Sequence, residues 1–253
     1  MTRWQQATCA LALGLTSLGC GSAEERITFP VEVTAVPMTG PNEKGWSVTP
    51  ESLFVSMGPV RFFEGRVLIS RRAPRFDWYS LIGGTANAHP GHYIAGDALG
   101  EVLTTHTVDL LAGPVTLGDA NAVTGEYGSL ELTLTPPTAS TDASGALTGH
   151  AVHVRGTARH ADGGSVHFDA TVDLPKAIEG IRFERTMKKE SGRVRIAVDL
   201  KTWLGRIDFA TVASAGPDGI SHFPAESQAQ NALTRGVEDT SAYVATWVEG
   251  AAQ

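Results

Sequence analysis

Residues 150–174 read HAVHVRGTARHADGGSVHFDATVDL, and the spacing of their apolar side chains decides the fold class. Val152, Val154, Gly156 and Ala158 alternate with His153, Arg155, Thr157 and Arg159. Val166, Phe168, Ala170, Val172 and Leu174 alternate in the same way with His167, Asp169, Thr171 and Asp173. A period of two marks a strand with one face in a core, because successive side chains point to opposite sides. The two runs together predict an antiparallel hairpin. For both apolar sets to share a face, paired residue numbers must sum to an even value, which a two-residue turn cannot give. A three-residue loop at Asp162-Gly163-Gly164 can, and it supplies glycine for a left-handed position. That register sets Ala158 opposite Phe168 and Val154 opposite Val172 inside. Outside, it sets Arg159 against His167, Thr157 against Asp169 and His153 against Asp173. Such a polar row reads as a solvated charge ladder, each pair worth roughly 0.2–1 kcal/mol.

The pattern extends outward along the chain. Residues 27–36, 52–63, 66–70, 107–111, 115–117, 129–135, 193–200 and 243–248 are further strand-like runs, with Gly58-Pro59 expected to break the second. Pro136-Pro137 through Gly145 reads as a polar edge loop. Lys201 to Gly205 suits one helical turn seating Trp203. Ala225 to Thr234, with Pro224 before it and Gly236 after, is the best helix candidate. Short strands, tight turns and few helical patterns predict an all-β chain. The expected architecture is a β-sandwich, Ig-like or a related open barrel, with one short C-terminal helix and a single domain over 27–253.

Ahead of that domain, Arg3 precedes an apolar run from Ala7 to Leu18, twelve residues long. That length suits a signal-peptide core and falls short of the about 20 residues that span a bilayer. The run ends in Leu18-Gly19-Cys20-Gly21-Ser22, which resembles the lipobox of bacterial lipoproteins, although Ser17 stands where that motif usually has leucine. The resemblance implies a signal peptide over 1–19, a lipid on Cys20 and a short tether over 20–26. Cysteine usage agrees. Cys9 would leave with the signal, so the mature chain would keep Cys20 alone and form no internal disulfide. Gly21 is unlike the aspartate that retains lipoproteins in the inner membrane of enteric bacteria, which favours an outer membrane. Val108-Asp109-Leu110-Leu111-Ala112-Gly113, with Gly125-Glu126-Tyr127 and Leu130-Glu131-Leu132, is similar to uncharacterised bacterial cell-surface lipoproteins with sandwich domains. That likeness implies a β-sandwich on a lipid tether and no chemistry.

The net charge of −7 argues against nucleic acid as a partner, since an acidic surface repels phosphate. The expected partners are the membrane, through its lipid, and a metal ion or an envelope protein. The strongest local motif is Ala88-His89-Pro90-Gly91-His92-Tyr93. Pro-Gly at the centre of four residues suits a type II turn, which brings the flanking Cα atoms within about 7 Å. His89 and His92 could then share one ion at the roughly 2.0–2.1 Å of a Zn–N bond. Asp97, Glu101 and His106 follow as further candidate ligands, and imidazole plus carboxylate suits Zn(II) or Cu(II). A plain surface turn with two solvated histidines satisfies the same residues. His167-Phe168-Asp169 with His222 resembles the His-x-Asp…His facial triad of non-haem iron oxygenases, though strand alternation accounts for that pair equally. Nucleophile elbows, phosphate-binding glycine loops and His-Glu-x-x-His are missing from the sequence. The expected function is non-catalytic binding of a transition metal or metal-containing cofactor. The alternative is a structural or protein-interaction module of the envelope.

Overall fold

The computed structural model describes residues 24–65, 96–212 and 215–250. Two strands far apart in the chain anchor the sheet: β1 (Arg26–Val36) lies parallel to β10 (Gly192–Asp199). Val31 faces Val194 and Val33 faces Ile196 in this register, and all four side chains are buried. Each strand alternates, so matching parity puts both apolar rows on one face.

The other strands are β2 (Trp46–Phe63), β3 (Ala98–Val102), β4 (His106–Asp109), β5 (Val115–Val123), β6 (Gly125–Leu134), β7 (Val152–His160), β8 (Ser165–Val172), β9 (Ile178–Met187), β11 (Ser221–His222) and β12 (Tyr243–Glu249). The fold is all-β and sandwich-like. One run of neighbours goes β9-β6-β2-β3-β5-β1-β10-β12. It curls until its two ends meet, with Arg185 of β9 lying 5.1 Å from the Trp247 ring of β12. Among the described residues no ladder joins those two strands, so the curl has a seam. Aromatic rings fill its interior: Phe62 lies 5.5 Å from Phe29 and 5.7 Å from Phe183, and Phe29 lies 5.7 Å from Trp247. Tyr127 closes the cluster with its hydroxyl 2.7 Å from the Val123 carbonyl, and burial pushes its phenol up to about 12.

The first half of β2 carries a second set of strands, in the order β2-β7-β8-β11. The inner face of this wing packs on aromatic side chains and on two helices, α1 (Leu200–Leu204) and α2 (Gln228–Glu238). Phe168 sits 5.0 Å from Phe209 and 5.8 Å from Phe223, while Trp203 of α1 and Leu233 of α2 are buried. One continuous core joins both sets of strands.

Three local expectations are corrected here. β2 runs straight through Gly58-Pro59. Its register against β6 shifts between Met57 and Val60, and such an irregularity lets a strand accommodate a residue without an N–H. The hairpin keeps its even parity but slides by two, pairing Val154 with Ala170, Gly156 with Phe168 and Ala158 with Val166. Its loop is Ala161-Asp162-Gly163, and Gly163 takes the left-handed position at φ 98°. Gly156 fixes this register: a Cβ there would meet the Thr49 carbonyl at 2.4 Å and the Phe168 ring at 3.1 Å, so only glycine fits opposite that ring. The third correction is His153. It is buried, not solvated, because residues 136–149 lie over it.

Candidate functional site

The chain leaves β2 at Glu64-Gly65 and re-enters the sheet at Gly96-Asp97, and these two ends touch. The Glu64 N–H donates to the Asp97 carbonyl at 3.1 Å. A Cβ on Gly96 would lie 2.9 Å from the Gly65 nitrogen, and Gly96 adopts φ 64°, so a glycine closes this stem. His89 and His92, within 66–95, and Cys20, within 1–23, lie outside the described residues.

Asp97 directly precedes β3, and Glu101 lies within it. Gly100 between them permits β3 and β5 to approach closely, since a Cβ there would sit 2.6 Å from the Ala122 Cβ. Both carboxylates line an open recess of about 430 Å³ with Glu24, Arg26 and Asn121. Three acids against one arginine make that recess cation-attracting. Glu101 lies opposite Arg61, whose Nε is 3.9 Å from its carboxylate, while Arg61 Nη1 bonds Glu131 more closely at 3.2 Å. Glu101 and Arg61 are both nearly half exposed, so their long contact restrains Glu101 weakly.

His106 lies elsewhere. It pairs with Met57 on β4, four residues from Arg61 along β2, on the order of 13 Å at the rise of a strand. Asp97 and Glu101 are thus brought together, and His106 is not. Among the described residues no group of three or more His, Cys, Asp and Glu side chains could hold a metal ion. A complete ligand shell at the recess would need donors from outside the described residues.

The outer face of the hairpin carries a second polar cluster. β11 lies parallel to β8 with His222 beside Asp169, the juxtaposition a His-x-Asp…His triad requires. Its members are otherwise engaged. Asp169 is 3.0 Å from His153 Nε2 and 3.2 Å from Arg155 Nε, and His167 Nδ1 is 3.1 Å from the Thr157 hydroxyl. Thr157 in turn donates to Glu51 at 2.6 Å. His150 pairs with Asp173 at 2.7 Å, the partner expected for His153. The sequence reading missed His153 as a buried group because alternation alone puts it on the outer face. The signal that something covers it is Leu147, the one large aliphatic side chain among residues 136–149.

In comparisons with known proteins, no family model matches the chain, and neither a curated protein nor a solved structure matches it.

Proposed function

We propose that the chain is an exported lipoprotein, acylated on Cys20, whose β domain binds a transition metal ion without catalysis. The observation that supports this reading is the closed stem at Gly65 and Gly96. It returns the segment carrying His89 and His92 directly into Asp97, in a recess already lined by Glu101 and Glu24. Imidazoles from that segment, with Asp97 or Glu101, would make a nitrogen–oxygen shell suited to Zn(II) or Cu(II). The tether adds an orientation. Glu24 and Arg26 border the same recess, and the four residue steps from Cys20 to Glu24 span at most roughly 14 Å. A lipid on Cys20 would therefore keep the recess near the outer-membrane surface, where the domain would buffer the ion or pass it to an envelope protein.

Titration calorimetry on the mature domain tests this. Uptake of Zn(II) or Cu(II) near one equivalent is expected, with none in the His89→Ala/His92→Ala variant. Asp97→Asn should weaken binding at least about tenfold, a loss of ~1.4 kcal/mol. A titration without heat for either metal rejects the reading. The second reading, a structural or interaction module, is favoured by the separation of His106 from Asp97 and Glu101. It predicts that same flat titration.

A further inference from the structure

We propose that His153 is a proton-dependent clasp that holds residues 136–149 across the outer face of β7, β2 and β4. This inference stands apart from the metal site. Both ring nitrogens face acceptors: Nδ1 lies 2.6 Å from the Ala146 carbonyl, and Nε2 lies 3.0 Å from Asp169 Oδ1. A carbonyl oxygen can only accept, so Nδ1 carries a proton. The Asp169 carboxylate, with its other oxygen 3.2 Å from Arg155 Nε, is an acceptor as well. Both bonds are made only when each nitrogen is protonated. The Asp169 carboxylate is a stronger acceptor than a neutral carbonyl and keeps a proton on Nε2. Deprotonation therefore leaves the lone pair on Nδ1, facing the Ala146 carbonyl in a place too covered for water to take over readily, as His153 is 8% exposed.

The segment held by this contact is otherwise tied down lightly. Thr107 on β4 donates to the Thr141 carbonyl at 2.5 Å, and Leu147 is buried beneath. Asp142 organises the segment internally, accepting from Ala146 N at 3.0 Å and Leu147 N at 2.9 Å. The exit is pinned by Asp173, which accepts from Ala151 N at 2.8 Å and meets His150. His150 and Asp173 are both more than two-fifths exposed, so their pair is weaker than that of His153 with Asp169. The charged and titratable groups around His153 are Asp142 on the segment, Arg155 on β7, Asp169 and Asp173 on β8, His222 beside Asp169 on β11, and Asp109 one strand beyond Phe54 on β4. His167, Thr157 and Glu51 form a separate chain on the same face. Opening the clasp would bare Leu147, making apolar surface available in the deprotonated state.

Hydrogen exchange and ring ¹⁵N spectra of the intact mature chain decide the matter. The amides of Ala146, Leu147 and His150 are the reporters, because each is bonded within the segment. After correction for intrinsic rates, their protection should fall at least about tenfold between about pH 5.5 and about pH 8.5. His153→Gln should flatten that dependence, whereas His150→Gln should keep it. The ring of His153 should show two protonated nitrogens at the lower pH. Equal protection at both pH values, the same fall in His153→Gln, or a neutral ring at the lower pH would overturn the proposal. If His153→Gln does not fold, the wild-type exchange profile and ring spectrum together still give the answer.

Discussion

Glu32 shows how one carboxylate can brace a sheet. It lies on the outer face of the β1–β10 pair, opposite Arg195, bonded to Arg195 and held 2.8 Å from Arg193 Nε. Burial alone would raise its pKa, but the two guanidinium groups prevail and hold it below the ordinary carboxylate range. The sign follows. A carboxyl whose folded pKa is depressed adds stability above its unfolded value and loses it as pH falls through the folded value. Charge-assisted bonds to a buried group are worth about 1.5–3 kcal/mol each. Both arginines are about a third in water, so Glu32→Gln should cost only about 1–2 kcal/mol near neutral pH. Denaturant unfolding of both proteins from about pH 7 down to about pH 3 should show that gap closing. A gap independent of pH would mean the carboxylate contributes by shape alone.

At the scale of elements, α2 separates two roles that glycine can play. Placed after an apolar helical run, Gly236 reads as a terminator, and the helix was expected to end at Thr234. In the structure α2 begins later, at Gln228 with Ser227 as N-cap, and runs through Gly236 to Glu238. The glycine is there for α1. A Cβ would lie 2.6 Å from the Trp203 carbonyl and 2.7 Å from that of Thr202. Gly236→Ala should therefore destabilise by a net ~1–2 kcal/mol, because backbone overlap outweighs the about 1 kcal/mol that alanine gains in helix propensity. A rise in thermal midpoint would show that the helices part freely. The same contrast between local pattern and distant packing explains what could be read from the chain. Strongly alternating strands such as β1, β7, β8 and β10 were legible because their period is local. β9 was not: Gly180 at φ 77° interrupts it, so Ile178, Gly180, Ile181 and Phe183 are buried without strict alternation. β3 is short and opens with Ala98-Leu99-Gly100, which carries little strand propensity. At the candidate site, proximity in sequence grouped Asp97, Glu101 and His106. The link between β3 and β4, both antiparallel to β2, then carries His106 further along β2, a long-range pairing that no spacing rule reveals.

On the scale of the whole molecule, stability rests on one core shared by the curled sheet and its wing, in a chain whose only cysteines are Cys9 and Cys20. No helix among the described residues is long and apolar enough to cross a membrane, and the proposed attachment is the lipid on Cys20. The aromatic filling of the curl leaves the surface to carry the candidate site, at the end where β1 begins. Elemental analysis of the protein purified from its native membrane fraction, beside the His89→Ala/His92→Ala variant, tests that assignment most directly. The account predicts close to one zinc or copper per wild-type chain and a metal-free variant. Wild-type protein without metal, or a variant that keeps it, would contradict it.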